Sequence, residues 1–462
     1  MTKFARSWPG PILCGPHHDG TRPRMTTVEI LRLEANASAR ATDTYAELLR
    51  DIGRADVVLI GEASHGTHEF YDERAQITKR LISEYGFRAV AVEADWPDAL
   101  RVNRFVFGQE RDRDSEEALR GFLRFPTWMW RNADVLDFVG WLRDRNDRLP
   151  KERAGFYGLD LFSLRTSIDA VIAYLDRVDP PAAERARRGY ACFDLVGDPA
   201  EYGYAVELGL QPSCRDEVTR ELLELRRRAA DYVHLDGAVA ADEYFYATLN
   251  AGVAQHAEEY YRTMLDPGVS SWNLRDRHMF ETLERLASHL ERNGRPGKIV
   301  VWAHNSHVGD AGVTDMGRRG EINIGSLTRA RYGARSRRIG FTTFSGTVSA
   351  APDWGAPVER KIVREAPAGS YEELFHRIGV PRFLLKFDNS AVRAACHGPL
   401  LERAIGVIYR PETERQSHYF SADLAEQFDA VIHIDHTRAV EPLERTPKWA
   451  TGEVAETFPT GI

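Results

Sequence analysis

The chain has 462 residues, of which 43% are hydrophobic and 28% are charged, and this balance excludes disordered and fibrous classes. The formal net charge of -8 comes from 69 acidic and 61 basic residues and argues against a nucleic-acid partner, because no basic excess faces phosphates. A length of 462 residues accommodates several domains or one elaborated α/β domain.

The cysteine pattern indicates in which cellular compartment the protein is expected. There are four widely separated cysteines: Cys14, Cys192, Cys214 and Cys396. None forms a CxxC pair, so we expect neither a disulfide framework nor a zinc knuckle, and we predict a cytoplasmic location.

No apolar run approaches the ~18 residues of a membrane span, and the start of the chain lacks the apolar core of a signal peptide. We therefore expect no membrane partner.

Residues 1–27 are rich in Pro, Gly, His and Arg, and we predict a flexible arm there, followed by an α/β domain over residues 28–462. Within that domain, short apolar or β-branched runs bounded by turn residues predict strands. The predicted strands are 57–60, 89–92, 155–158, 299–302, 339–344, 383–387, 405–409 and 430–434. Several are apolar throughout, which is typical of strands covered on both faces of a parallel sheet.

Helical patterns separate most of these strands. Residues 72–85, for example, carry apolar residues near helical spacing and end at Gly86, a typical residue for a helix end. Strands alternating with helices predict the α/β class, with a mostly parallel central sheet flanked by helices.

The strand pattern disappears between about residues 160 and 295, where the sequence predicts consecutive amphipathic helices, including residues 221–232 and 275–292. We interpret this segment as a large helical insertion between two strands of the sheet. Such an insertion would cover the carboxyl edge of the sheet, which makes it a candidate lid over a site.

Three predicted strands are followed directly by acidic or histidine side chains. The first leads to Glu62 and His65, the second to Glu93, and a later one to His304 and His307. Open α/β sheets bind their ligands at the carboxyl ends of their strands, so we expect these side chains to share one cleft. A single carboxylate after a strand is often only a helix N-terminal residue, but its recurrence favours a functional site.

Imidazole and carboxylate groups in one cleft have a clear chemical use. Histidine is the commonest general base, and a nearby carboxylate fixes its tautomer. Clustered carboxylates raise one another's pKa, so that one of them can act as an acid. Alternatively, Glu62, His65, Glu93 and His304 would hold a divalent metal ion that activates water. Both versions predict hydrolysis, and only the second requires a cofactor.

Other side chains are candidates for supporting roles. Arg74 and Arg275 could bind a carboxylate or steady an oxyanion, although surface ion pairs are equally expected of them. Trp128 and Tyr261 lie in aromatic-rich segments that suit either core packing or a pocket for a bulky organic substrate. Ser64 does not lie in the G-x-S-x-G turn of serine hydrolases, and no phosphate-binding or zinc-helix motif is present.

The motifs resemble those of the erythromycin esterase family. The resemblance rests on residues 61–66, 92–95, 125–130, 155–160, 260–262, 272–279 and 304–307, in that order. It implies an α/β fold with a helical insert and an esterase that, in its best-known members, opens a macrolide lactone by attack of water. It also implies that His65 is the general base and that these residues line the same site: Glu62, Arg74, Glu93, His304 and His307.

The sequence therefore predicts a hydrolase that cleaves an ester or lactone, with a macrolide lactone as one candidate and a small molecule as the partner. The predicted catalytic residues are Glu62, His65, Arg74, Glu93 and His304. The predicted substrate-binding residues are Trp128, Tyr261, Arg275 and His307. Two alternatives stay open: a metal-dependent hydrolase of amide or phosphoester bonds, and a protein that binds a small molecule or metal without turnover.

Overall fold

The computed structural model describes residues 25–41, 43–109, 112–195, 199–234, 238–266, 268, 270–292, 294 and 296–452. Most of the predicted arm, residues 1–24, lies outside the described residues, and the first helix begins at Thr27 behind the capping residue Thr26.

The strands are β1 (Val57–Ile60), β2 (Ala89–Asp95), β3 (Gly155–Asp160), β4 (Ile299–Trp302), β5 (Ser336–Thr342), β6 (Ser345–Ala350), β7 (Glu359–Val363), β8 (Arg382–Lys386), β9 (Leu400–Arg403), β10 (Tyr419–Ala422), β11 (Ala430–Ile434) and β12 (His436–Thr437).

The helices are α1 (Thr27–Arg40), α2 (Ala46–Ile52), α3 (His68–Tyr85), α4 (Trp96–Val106), α5 (Ser115–Leu119), α6 (Ala133–Arg148), α7 (Leu164–Val178), α8 (Pro180–Tyr190), α9 (Pro199–Glu207), α10 (Arg215–Arg227), α11 (Ala229–His234), α12 (Ala238–Thr263), α13 (Ser271–Glu291), α14 (Asn305–Val308), α15 (Asp315–Arg318), α16 (Ile324–Tyr332), α17 (Tyr371–His376), α18 (Ser390–Cys396), α19 (Glu414–Ser417), α20 (Leu424–Gln427) and α21 (Pro447–Thr451).

The central sheet has seven strands in the order β3-β2-β4-β1-β5-β11-β8. All neighbouring strands are parallel except β8, which runs antiparallel to β11. The strands β1 to β4 are buried along their whole length. β1 and β4 are apolar throughout, whereas β2 and β3 end in the acidic residues Asp95 and Asp160. The predicted fold class is therefore confirmed, and the carboxyl ends of these four strands lie along one edge of the sheet.

The strand predicted at residues 405–409 is wrong. The antiparallel pair in this region is β9 with β10, and Ile405 forms only an isolated bridge to Ser64. Ile405 and Tyr409 are apolar because they pack with Val348 and Ala350 in a small separate core, and not because they belong to the central sheet. The small sheet β12-β6-β7 was not predicted either.

In the described residues between β3 and β4, the chain forms seven α-helices, α7 to α13. They form an apolar core of their own, with Leu175, Leu222 and Ala254 among its fully or nearly fully buried members. The helix predicted at residues 221–232 is wrong in its continuity, because α10 ends at Arg227 and α11 begins at Ala229.

The expectation of unpaired cysteines is corrected in this helical segment. Cys192 and Cys214 form a disulfide with a Cα–Cα distance of 6.0 Å. The tertiary fold brings together two cysteines that are 22 residues apart in sequence, which their spacing did not indicate. Among the described cysteines, Cys396 has no disulfide partner and is buried, and Cys14 lies outside the described residues. In the described part of the chain, no helix is long and apolar enough to cross a membrane. The cytoplasmic location stays a prediction.

Candidate active site

A cavity of about 670 Å³ lies at the carboxyl edge of the central sheet. His65, Glu93, His304 and His307 line it from the sheet side. The segment before α6 and the helical segment between β3 and β4 supply aromatic walls. These aromatic lining residues are Phe122, Phe125, Trp130, Phe162, Tyr260, Tyr261 and Trp272. His65, Glu93, His304 and His307, which come from the ends of three separate strands, therefore share one cleft, whereas Glu62 does not line it.

Glu62 and His65 follow β1 and form a buried pair. Glu62 Oε1 lies 3.0 Å from His65 Nδ1, and Glu62 Oε2 lies 2.9 Å from Arg74 Nη2. Since an ionised carboxylate only accepts hydrogen bonds, Nδ1 of a neutral His65 carries the proton and Nε2 is left as an acceptor. His65 lines the cavity, whereas Glu62 is fully buried behind it.

The turn that carries His65 is fixed on several sides. The Tyr71 hydroxyl donates to the carbonyl oxygen of His65 at 2.7 Å, and the His65 amide donates to the carbonyl oxygen of Ile405 at 3.2 Å. At the next residue, a Cβ added to Gly66 would lie 1.9 Å from the carbonyl oxygen of Ser349. This close approach requires glycine at position 66 and holds the turn against β6.

Arg74 does not reach the cavity. Its guanidinium is fully buried, 4.4 Å from the ring centroid of Tyr71 and 5.3 Å from that of Trp302. Its ion pair with Glu62 and these rings balance the burial of the Glu62 carboxylate. The structure therefore places Arg74 behind Glu62, two side chains away from the cleft.

Glu93, near the end of β2, is surrounded by cationic and hydrogen-bonding groups. Its Oε1 accepts from Arg275 Nη2 at 2.7 Å, and its Oε2 accepts from the backbone amide of His304 at 2.9 Å. His307 Nε2 and His65 Nε2 lie 3.4 and 3.9 Å from Oε1. Burial alone raises the pKa of Glu93, but His307, Arg275 and His65 together lower the pKa well below its usual range. Glu93 is therefore ionised.

His307 forms a second imidazole–carboxylate pair. Its Nδ1 lies 2.9 Å from both carboxylate oxygens of Asp276, and its ring stacks on Trp272 with a centroid distance of 4.3 Å. Burial lowers the pKa of His307, but Asp276 and Glu93 outweigh it and raise the pKa above its usual value. His307 is therefore more readily protonated than an ordinary imidazole.

His304 is held in the neutral form. Burial, followed by the nearby His65, lowers the pKa of His304 well below its usual value. The Ser306 backbone amide donates to His304 Nδ1 at 3.2 Å, so the proton of the neutral ring is on Nε2. The rings of His304 and His65 lie 4.9 Å apart. The neutral His304 ring thus packs beside His65 in the cavity wall.

Arg275 connects Glu93 with Asp160, the last residue of β3. Its Nε and Nη2 donate to the two carboxylate oxygens of Asp160 at 3.0 and 2.7 Å. Farther along the wall, Asp95 accepts from Arg124 Nε at 2.8 Å. Burial, followed by the charge of Asp95, raises the pKa of Asp98 to about 7. Asp98 is a cavity carboxyl group near the point of half-ionisation at neutral pH.

Of the two aromatic residues predicted to bind substrate, one lines the cavity and the other lies in the core. Tyr261 of α12 lines the cavity. Trp128 is 3% exposed and belongs to the core of the central sheet, next to Met129 and Trp130, which do line the cavity.

Several residues of the site were missed by the sequence reasoning. Asp160 follows the same rule as Glu93, since it ends a buried parallel strand, so that rule applied to β3 could have found it. Asp276, Trp272, Asp98 and Arg124 carry no such pattern, because helices and loops bring them to the cavity from distant parts of the chain.

Among the described residues, no group of three or more His, Cys, Asp or Glu side chains has the arrangement of a metal site. Glu62 and Glu93 instead face the guanidinium groups of Arg74 and Arg275. The metal set inferred from the sequence stays a prediction.

Known proteins that are similar to this chain include erythromycin esterases and a protein named as a hydrolase. The family model described as erythromycin esterase matches residues 82–437. Erythromycin esterase type II of Escherichia coli is 22% identical over 417 residues, which cover 86% of this chain and 94% of that protein. A Bacillus subtilis (strain 168) protein named as a hydrolase, YbfO, is 22% identical over 400 residues, which cover 82% and 83%. The structure of an erythromycin esterase mutant in its open conformation has a similar fold, with a TM-score of 0.61 at 18% identity over 85% of this chain and 94% of that one.

Proposed function

Because the chain belongs to the erythromycin esterase family, we propose that it hydrolyses a carboxylic ester or lactone by attack of water, with His65 as the general base. Family membership makes it a hydrolase, and the ester class and the residue roles are the proposal. The observation that carries it is the Glu62–His65 pair, in which Nδ1 faces a carboxylate 3.0 Å away on the closed side of an open cleft.

The base would work through the Nε2 atom of His65. With its Nδ1 proton directed at Glu62, the ring accepts a proton from water at Nε2, and the water oxygen attacks the ester carbonyl carbon. The carboxylates of Glu62 and Glu93 then stabilise the imidazolium. His65 returns the proton to the leaving alkoxide, which leaves the free acid and the alcohol.

The oxyanion that forms on the carbonyl carbon needs positive charge nearby. Arg275 and His307, whose pKa is raised, lie closest to Glu93 in the cavity, and we assign the stabilisation of the oxyanion to them. Because Glu93 and Asp160 hold Arg275 in place beforehand, little reorganisation is needed during the reaction. Arg74 would orient Glu62 without touching the substrate, and His304 would pack beside His65 in the cavity wall.

The cavity favours a bulky organic substrate. A volume of about 670 Å³ lies within the range of small-molecule pockets, and several aromatic side chains contribute to its walls. Tyr261 of α12 contributes to these walls. A macrolide lactone is one candidate of this kind, and the curated Escherichia coli relative carries the name of an erythromycin esterase.

Hydrolysis of a panel of activated esters and macrolides tests the proposal, with wild type compared to His65→Ala. We expect kcat to fall about 100-fold or more, the usual contribution of a positioned general base. We also expect the wild-type rate to fall as pH drops through the histidine range, because a protonated imidazole accepts no proton. Unchanged turnover in His65→Ala would contradict the role of His65. Loss of activity with a chelator, together with bound metal, would favour the metal-dependent alternative.

A further inference from the structure

Asn305, the residue between His304 and Ser306, joins three strand ends without lining the cavity. Its side-chain Nδ2 donates to the carbonyl oxygen of Phe341 in β5 at 2.8 Å, and its Oδ1 accepts from the Phe341 amide at 3.3 Å. Its backbone amide donates to the carbonyl oxygen of Glu62 at 2.8 Å. One fully buried residue thereby connects the turn after β4 to β5 and to the turn after β1.

Gly61, at the end of β1, lies very close to the Asn305 side chain. A Cβ added to Gly61 would lie 2.1 Å from Asn305 Oδ1. Gly61 therefore lets the Asn305 amide reach β5 across the end of β1. A larger residue at position 61 would displace either the turn with Glu62 or the turn with His304.

Glu402 of β9 uses the second hydrogen of the Asn305 amide. Its Oε1 accepts from Asn305 Nδ2 at 3.1 Å, and the carboxyl group is fully buried. Since an amide nitrogen has two hydrogens, Phe341 and Glu402 together occupy both of them. A flipped amide would present its oxygen to two acceptors, so this arrangement fixes the orientation of Asn305.

The surroundings of Glu402 disfavour its charged form. Burial, followed by the charge of Glu372 in α17, raises the pKa of Glu402 to about 8, whereas hydrogen bonds from Gln427 and Asn305 lower it. Glu372 accepts from the backbone amide of Arg403 at 2.9 Å.

The Arg403 guanidinium is paired with Glu414 at 2.8 Å and does not neutralise Glu402. The surroundings of Glu402 therefore favour the neutral carboxylic acid at neutral pH.

We propose that Asn305 and Glu402 are a positioning pair for the hydrolase: Asn305 holds the turn with His304 and His307 in register with the turn of Glu62 and His65, and Glu402 fixes the Asn305 amide. This inference rests on the proposed function only for its effect on the rate. Neither residue touches the cavity, so the pair acts on the chemistry through the imidazoles. A displacement of about 1 Å at such groups can cost ~100-fold in rate.

Kinetics of three variants test the pair. Asn305→Asp keeps the size of the side chain but removes both donors, and we expect kcat to fall ~10- to 100-fold with a KM within about twofold. Glu402→Ala should lower kcat in the same way. Glu402→Gln retains a neutral acceptor oxygen and should keep kcat within about twofold of wild type. A Glu402→Gln variant as impaired as Glu402→Ala, or a fully active Asn305→Asp, would overturn the proposal.

A stability measurement tests the same pair without any substrate. Folding raises the pKa of Glu402, so between about pH 5 and 8 the folded state holds a proton that the unfolded chain has lost, and the free energy of unfolding falls as pH rises. Glutamine does not titrate, so the stability of Glu402→Gln does not fall in this way. We therefore expect the Tm of Glu402→Gln minus that of wild type to increase by a few °C between pH 5 and pH 8. A constant Tm difference would show that Glu402 is ionised throughout and would overturn the neutral pairing.

The imidazoles provide the third readout. In protein labelled with ¹⁵N-histidine, Asn305→Asp should change the ring-nitrogen signals of His304 and His307, while Glu402→Gln should leave them unchanged. Unchanged signals in Asn305→Asp would overturn the positioning role. If wild type hydrolyses no ester at all, the proposed function fails, and the Tm and NMR measurements still decide whether the pair exists.

Discussion

Two imidazole–carboxylate pairs face one another in the cavity. His65 pairs with Glu62, His307 pairs with Asp276, and the two Nε2 atoms lie 3.9 and 3.4 Å from Glu93 Oε1. The neighbouring charges of Asp276 and Glu93 raise the pKa of His307 above its usual value. Neighbouring histidines can thereby serve as base and as cation in the same cleft, because their environments differ.

The carboxyl group of Asp98 leads to a pH-dependent prediction of substrate preference. Its pKa is raised to about 7, so it gains negative charge as pH rises from 6 to 8. For an ester with an ammonium group, we expect KM to fall over this range by at most about fivefold, since the group is partly exposed. A neutral ester of the same shape should show no such fall. KM measured for both esters with wild type and Asp98→Asn checks this, and the same fall in the variant would exclude Asp98 as its cause.

At the scale of elements, the site depends on turns that pack closely against residues of neighbouring elements. The turn after β1 contains Gly61 and Gly66, and each lies where a Cβ would meet another residue at about 2 Å. The β1 turn is therefore defined by glycines as much as by Glu62 and His65. Short apolar strands deliver the side chains to the edge of the sheet, and the turns fix their spacing.

Replacing Gly66 with Ala tests this dependence. The added Cβ would clash with the Ser349 backbone, so we expect a loss of about 1–3 kcal/mol in the free energy of unfolding, together with lower activity. Gly140→Ala in α6 is the matched control, because its nearest neighbour would be 3.6 Å away and alanine favours helices. Urea unfolding measures both variants. Equal stability of Gly66→Ala and wild type would refute the close approach.

The helices between β3 and β4 provide the second element-scale prediction. We propose that this segment acts as a lid, because Tyr261 of α12 and Trp272 of α13 line the cavity. Tyr261→Ala should raise KM for a bulky ester about tenfold and leave a small ester nearly unchanged, since one lost aromatic contact is worth ~1–1.5 kcal/mol. Tyr204→Ala in α9 is the control, because Tyr204 is 49% exposed. A uniform change for both esters would argue against a contact between Tyr261 and the substrate.

At the scale of the whole molecule, the buried ionisable groups determine how stability responds to pH. Burial lowers the pKa of His278, His304 and His433, so the unfolded chain binds protons that the folded protein does not. Stability therefore rises with pH through the histidine range. Burial raises the pKa of Asp98 and Glu402, for which the sign is opposite, so stability falls as pH rises toward 8.

These opposed contributions predict a maximum of Tm at about pH 6–7. Calorimetry from pH 4.5 to 8.5 measures it, and His278→Gln, which lies away from the cavity, should lessen the fall on the acid side. A Tm that increases steadily on acidification would contradict the prediction that these histidines are neutral in the folded protein.

The sequence by itself determined the class of the fold and the main catalytic candidates, because both follow from local patterns. Fully apolar strands specify a buried parallel sheet, and the side chains directly after such strands must meet at one edge, which is how Glu62, His65, Glu93 and His304 were found. Only the tertiary structure decided their partners. Asp276 and Glu402 come from other elements, Trp128 belongs to the core while Tyr261 lines the cavity, and Cys192 pairs with Cys214. Contacts between distant segments depend on how helices and loops pack around the sheet, and no short-range periodicity encodes that packing.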